Sequence, residues 1–277
     1  MTGWAALSWQ GSKWFSGLER DGRTARPVPI ALGHDRVSRP RPGVLLSEEW
    51  LHDSDITEID GLAVTVPARS VCFEMRRSRS LTQAVTLASM AAFSDHTSLE
   101  EIHDYACTML DGRPWTSRIH RALPHSVENA WSPREISMLI TWTVEGGFPR
   151  PLCNAPIFDR GGSHLFTPDL FDPENGVVGE YDSLIHLEDR RRGRDMDREE
   201  LARDIGLELV TMVTADNADH ASFLRRLRSA YARARTRRRT TSWTLTQPDW
   251  WIDTSTVEKR RALSAAERAT WLRRQAA

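Results

Sequence analysis

The sequence predicts an α/β domain lying behind a smaller α+β region, and three observations carry that expectation. Residues 1–78 read as short extended segments broken by Pro and Gly, among them VPIAL, RPRPG, GVLLSEEWL and ITEIDGLAVTVPARSV, where GLAVTV alternates with the two-residue strand period. From Leu81 the apolar spacing turns helical. From Ser132 onward the order becomes helix, three strands, helix, strand, helix. The 277 residues, 40% hydrophobic and 27% charged, suffice for one large or two ordinary domains with cores of their own and exclude a disordered tail.

Taken in order, the helical connector comprises LTQAVTLASMAAF, SLEEIHDYACTML and PWTSRIHRALPH, separated by the polar breaks FSDHTS and DGR. The next helix opens at Ser132-Pro133-Arg134-Glu135. Ser132 suits the N-cap, Pro133 the first turn and Glu135 the return bond of a capping box, and the helix is expected to run to Gly146. The extended segments PLCNAPIFD, HLFTPDLF and VVGEYDS follow as a meander, joined by the turn signals DRGG and DPENG. A charged helix over about Arg194 to Ile205, the apolar strand LELVTMV and a helix from about Ala221 complete the pattern. The divisions are therefore 1–78, a connector at 79–130, the α/β domain at 131–240 and a tryptophan-containing tail at 241–277. In the tail, Trp243, Trp250 and Trp251 either pack back on the core or stack on bases.

Charge is distributed unevenly. Residues 221–277 hold 14 Arg/Lys against four acids, so in a chain of net charge −1 residues 1–220 carry −11. Eight arginines lie between Arg225 and Arg239 without an acid among them, which suits phosphate neutralisation or a solvated helix face. The three cysteines, Cys72, Cys107 and Cys153, form no CxxC; that spacing argues against a zinc module or a disulfide framework and fits buried packing in a reducing compartment. The N-terminus lacks a basic start with an apolar run, and no stretch reaches the roughly 18 apolar residues of a bilayer span, so a cytoplasmic protein is expected.

Chemistry concentrates in the third region. Asp169 lies near the end of the second extended segment, and Glu180 and Asp182, two apart on the third, share a strand face. Converging carboxylates are costly unless a cation or bound protons compensate, and hard oxygen ligands suit Mg²⁺ or Mn²⁺. Plainer roles stand beside these: a capping box for Glu135, a turn start for Asp169, a surface position for any single acid. Glu180, flanked by apolar strand residues, is harder to place without a partner. Arg194 and Arg198 share a helix face and either hold phosphate or pair with Asp195 and Glu199.

Pro168-Asp169, then ten residues, then Glu180-Tyr181-Asp182 on the strands of such a unit resembles the PD-(D/E)XK nuclease family, with its restriction-endonuclease-like core. With Ser132-Pro133-Arg134-Glu135 before it and His186, Asp195 and Arg198 after it, the pattern is similar to a branch related to very-short-patch-repair (Vsr) endonucleases, over about residues 130–235. The resemblance implies Asp169 and Glu180 as metal ligands, Glu135 as a supporting acid and His186 near the attacking water. Asp182 stands where that superfamily often has lysine, and the only lysines here are Lys13 and Lys259. Ser183 departs from the glycine usual in this branch, and His186 itself has the plain alternative of a hydrogen-bonded histidine. The run from VPIAL to GLAVTVPARSVCFEMRR resembles the portion that follows the winged helix in AbiEi-like antitoxins, with the winged helix curtailed.

These readings lead us to expect an Mg²⁺- or Mn²⁺-dependent endonuclease hydrolysing DNA phosphodiesters, in DNA repair or phage defence. DNA would be held by Arg194, Arg198, Arg237, Arg238 and Arg239, with no membrane partner. Two alternatives are a non-catalytic DNA-binding or antitoxin-like regulator that keeps the fold, and a structural protein binding a partner through its sheet-rich end.

Overall fold

Helices and small sheets alternate along the chain in a computed structural model that describes residues 1–19, 21–34, 38–39, 41–182, 198–237 and 242–276. The protein is α/β, as its sequence predicts. It divides into two units, Met1–Glu128 with Thr256–Arg261 and Asn129–Ser255 with Ala262–Ala277.

In the first unit a short helix α1 (Gly3–Trp9) precedes β1 (Val28–Ala31), which pairs in parallel with β2 (Val44–Ser47). A hairpin of β3 (Ile56–Ile59) and β4 (Leu62–Thr65) turns at Asp60-Gly61, both with positive φ, as a tight Asp-Gly turn requires. The chain departs from expectation immediately afterwards. Segment ITEIDGLAVTVPARSV does not stay extended: α2 (Pro67–Arg76) starts at Pro67, whose fixed φ and missing N–H suit a first helical turn, and Arg69 to Arg76 are buried. Helix α1 likewise occupies a stretch in which little helical periodicity is legible. No boundary falls at residue 78, because α2 packs on α1, α3 (Leu81–Phe93) and α4 (Leu99–Met109). Ser80 and Ser98 cap α3 and α4, and α5 (Thr116–Ala122) completes the connector within the same unit.

The second unit opens with α6 (Pro133–Ile140), capped by Ser132, whose Oγ accepts from the Glu135 amide at 3.2 Å. The helix widens into a π turn over Thr141–Glu145 that buries Trp142 completely. The two extended segments after it each break in the middle. PLCNAPIFD becomes β5 (Leu152–Cys153) and β6 (Ile157–Asp159), and HLFTPDLF becomes β7 (His164–Phe166) and β8 (Leu170–Asp172). One half of each enters a four-stranded sheet and the other half a three-stranded one. The larger sheet has the order β10-β9-β8-β5, with β9 (Val177–Asp182) antiparallel to β8 and parallel to β10 (Glu208–Val213). The smaller has the order β11-β6-β7, where β11 (Trp243–Thr244) brings part of the tail back onto the unit. The expected meander is therefore β5-β8-β9, with a hairpin folded out of its first two strands.

A crossover through α7, a helix described over 198–204, joins β9 to β10, and α8 (Ala221–Thr236) packs on β10. The core holds Phe171, Val178 and Leu207 of the larger sheet side together with Ile157, Phe166 and Ala202. Trp243 packs edge-on to Phe171 at 5.2 Å and Trp251 edge-on to Phe158 at 5.0 Å, whereas Trp250 remains 54% exposed. Helices α9 (Val257–Arg261) and α10 (Ala265–Ala276) close the chain; α9 belongs to the first unit, where buried Arg260 meets Asp95 at 2.7 Å. Among the described residues, no helix is long and apolar enough to cross a membrane.

Strand β9 approaches α6 at Gly179, where an added Cβ would lie 2.9 Å from Cζ3 of buried Trp142 and 3.5 Å from Met138 Sδ. Neither neighbour has room to retreat, and overpacking of a filled core typically costs about 1–3 kcal/mol. Gly179→Ala should lower stability by about that amount, measured as a shifted urea midpoint at unchanged slope.

Candidate functional site

At the end of the larger sheet, the register pairs Leu170 with Gly179, so the next positions outward, Asp169 and Glu180, face one another across β8 and β9. Asp169 Oδ2 accepts from the Tyr181 amide at 2.7 Å. The Asp169 carbonyl accepts from the Asn154 amide at 3.0 Å, at the point where β5 leaves the sheet. Glu180 Oε2 lies 3.3 Å from Nη1 of Arg198, the first described residue of α7. Asp182, two further along β9, is exposed at the strand end.

Glu135 comes to the same place from α6. Its backbone takes the expected Ser132 cap, but its carboxylate is 6% exposed and turned inward. Oε2 accepts from the Trp131 amide and from Asn154 Nδ2, both at 2.7 Å. The return bond of the expected capping box is not made to the Ser132 amide: the carboxylate takes the Trp131 amide instead, so only the Ser132 half of the cap forms. Asn154, 4% exposed and in the left-handed region at φ +48°, also donates through Nδ2 to the Asn129 carbonyl at 2.8 Å. It was not legible as a site residue, because an isolated Asn within an extended segment signals only a turn.

Burial raises the Glu135 carboxyl well above the usual carboxylate range, and the neighbouring charge of Asp169 adds to it; the Trp131 amide and Asn154 oppose the shift. Burial also raises Asp169, against the Tyr181 amide and the charge of Arg198, which favour its ionised form. The two titrate as a pair. Comparison with family models, curated proteins and solved structures returned no match.

Among the described residues, Glu135, Asp169 and Glu180 are not drawn so close that an oxygen of each lies within 4.8 Å of the other two; the three-residue group that meets this spacing is His103, Cys107 and His120 in the first unit. Within the acidic site, the strand register sets Asp169 opposite Glu180, and the Asp169 charge acts on Glu135. His186, Arg194 and Asp195, as well as Arg238 and Arg239, lie outside the described residues.

The arginines of α8 separate into two sets. Arg226, Arg233 and Arg237 recur along one flank and are occupied: Arg226 pairs with Asp216, while Arg233 and Arg237 bracket the buried Glu208 carboxylate at 2.7 and 2.8 Å. Arg237 also donates to the Leu207 carbonyl at 3.0 Å, so its guanidinium is engaged within the fold. A carboxylate buried at the start of β10 requires a counter-charge, and the end of α8 supplies it. Arg225, Arg228 and Arg235 lie on the opposite, exposed face.

Carboxyls whose pKa is raised by folding stabilise the folded state while protonated, and that contribution is lost as pH rises from the ordinary carboxylate range through the raised pKa. Glu135→Gln keeps an acceptor for Trp131 and Asn154 and never ionises. It should raise stability near pH 8 by about 1–2 kcal/mol, a shift of one pKa unit being worth about 1.4. Melting curves between roughly pH 5 and pH 8 should be flatter for the variant than for the wild type; parallel curves would show that Glu135 ionises as freely in the folded chain as in the unfolded one.

Proposed function

We propose that the second unit is a divalent-metal-dependent nuclease site of the PD-(D/E)XK kind acting on DNA phosphodiester bonds, with a restriction-endonuclease-like core. The observation that carries the reading is the placement of Asp169 opposite Glu180 at the end of adjacent antiparallel strands, backed by the inward carboxylate of Glu135 on the preceding helix. An all-oxygen pair on rigid strands fits Mg²⁺ or Mn²⁺ and is a poor match for softer ions. Asp169 and Glu180 would hold such an ion, which supplies Lewis acidity towards a phosphoryl oxygen and lowers the pKa of a water.

The chain's own groups do the positioning. The Tyr181 amide fixes the rotation of the Asp169 carboxylate, and Asn154 ties Glu135 to the same corner through one side chain and one backbone bond. Glu135, held by neutral donors and raised in pKa, can carry a proton near neutral pH. Arg198 neutralises Glu180 in the absence of a cation and, once released, is placed to meet a phosphate. The exposed arginine face of α8 supports DNA as the substrate, since residues 1–220 carry −11.

A second reading, a DNA-binding or antitoxin-like regulator without turnover, is favoured by one observation: the guanidinium of Arg198 lies against Glu180, in competition with any cation there. Cleavage separates the two.

Asp169→Asn and Glu180→Gln should each lower Mg²⁺- or Mn²⁺-dependent nicking of supercoiled plasmid by roughly a hundredfold or more, the several kcal/mol that a positioned cation contributes. Retention of nicking in either folded variant sinks the assignment. Salt-sensitive DNA binding by a wild type that cuts nothing assigns the second reading.

Binding isotherms at several salt concentrations test the arginine face. Replacing Arg225, Arg228 and Arg235 with alanine should lower the slope of log affinity against log salt by up to about 2.7, at about 0.9 per phosphate contact. Arg237→Ala should leave that slope unchanged and destabilise the fold, because Glu208 would lose a counter-charge in a buried position.

A further inference from the structure

The first unit carries a second cluster of ligand-type side chains, independent of the acidic site. His103 and Cys107 are four residues apart on α4 and therefore share a face. His120 reaches the same spot from α5, which packs on α4. One ligand atom from each of the three lies within 4.8 Å of the other two, and all three side chains are exposed. The expectation that every cysteine serves buried packing is corrected here: Cys72 is buried, its thiol pushed up to about 12 by burial, but Cys107 is open to solvent.

The spacing has a specific meaning. A tetrahedral ion with bonds of about 2.3 Å to sulfur and about 2.05 Å to imidazole nitrogen holds those two atoms about 3.6 Å apart. Cys107 Sγ lies 3.6 Å from His103 Nε2. The other ring nitrogen, Nδ1, is 4.0 Å from that sulfur and 3.5 Å from Asp104 Oδ1, so Nε2 is the nearer ligand atom and the carboxylate is within reach of the ring's second nitrogen. The His103 and His120 rings stand edge to face with centroids 6.2 Å apart, an arrangement in which both can turn a nitrogen towards one point.

We propose that His103, Cys107 and His120 bind one Zn²⁺-class ion, clipping α4 to α5 and leaving a fourth position open to water. One thiolate and two imidazoles form a borderline-soft donor set that selects zinc and its neighbours over Mg²⁺ or Ca²⁺. On binding, the Cys107 S–H proton passes to solvent as the sulfur–metal bond forms; no redox step is involved. The sequence hides this site because His120 comes from the following helix and the spacing matches no CxxC or HxxxH pattern.

Cobalt(II), added to the full chain in the presence of a non-thiol reductant, is the probe, because it reports thiolate ligation optically, and the one thiol beside the acidic site, Cys153, is tested by its own variant. One equivalent should produce sulfur-to-cobalt charge-transfer absorption with the intense visible bands of a tetrahedral ion, and equimolar Zn²⁺ should bleach both. Cys107→Ser should abolish the charge-transfer band, whereas Cys153→Ser should keep it. Asp104→Asn should weaken Co²⁺ by about tenfold, and His103→Ala and His120→Ala by more. Absence of the band in the wild type, its survival in Cys107→Ser, or an unaltered titration in His120→Ala would overturn the proposal. The substituted cluster side chains are exposed, Cys153 alone being half-buried, and far-UV circular dichroism confirms that each variant is folded.

Discussion

The second unit depends on a break that two antiparallel segments make at the same level. Between Cys153 and Ile157 the chain leaves the larger sheet for the smaller, and between Phe166 and Leu170 it returns to the larger. Each break frees backbone groups that would be expensive to bury unpaired. Asn154 resolves much of this: its amide bonds the Asp169 carbonyl, its side chain bonds the Asn129 carbonyl, and Asn129 in return donates to the Cys153 and Asn154 carbonyls at 2.9 and 3.2 Å. The left-handed backbone of Asn154 costs of order 1 kcal/mol in a residue other than glycine, and these bonds offset it.

The acidic site is a consequence of that corner. With β8 beginning at Leu170, Asp169 stands just outside the strand and can fold its carboxylate onto the Tyr181 amide of β9. Glu135 is drawn in because Asn154 has one more donor direction to satisfy and α6 brings a carboxylate to it. The π turn that ends this helix places Trp142 over Gly179, and Trp142 Nε1 donates to the Tyr231 hydroxyl, which donates to buried Asp172 of β8. Helix, sheet and α8 are thereby held in one register around the strand ends that present Asp169 and Glu180.

Parts of this were legible in the sequence because they follow from local rules. The Ser132 cap, the two glycine turns after Asp159 and Asp172, the two-residue period of VVGEYDS and the three connector helices each lie within a window of a few residues. The strand breaks were not, because PLCNAPIFD and HLFTPDLF are uniformly extended; only pairing across space shows that their halves join different sheets. Helix α2 was hidden by its β-branched approach, AVTV, which reads as a continuing strand until Pro67 resets the backbone. Composition leaves the arginine run open between a phosphate-binding stretch and a solvated helix face, because it ignores facing. Helical geometry sends Arg226, Arg233 and Arg237 towards acids and Arg225, Arg228 and Arg235 towards solvent.

A chain with 35 arginines has counter-charges in plenty, and its buried acids mostly use them. Glu74 meets Arg26 at 2.7 Å, Glu208 meets Arg233 and Arg237, and Asp216 meets Arg226. Asp172 instead accepts from the Tyr231 hydroxyl and from both nitrogens of Asn175. Glu135, like Asp172, is held by neutral donors, a backbone amide and an amide side chain, but its neighbouring charge is another carboxylate, Asp169. Such an arrangement is unfavourable for the apo fold at neutral pH, and Glu135→Gln is expected to relieve it. Packing alone gives no reason to keep a carboxylate there when a neutral isostere would accept the same bonds. A role that needs a transferable proton or a nearby cation gives one, and this contrast, more than the number of acids in the neighbourhood, supports placing the chemistry at Glu135, Asp169 and Glu180.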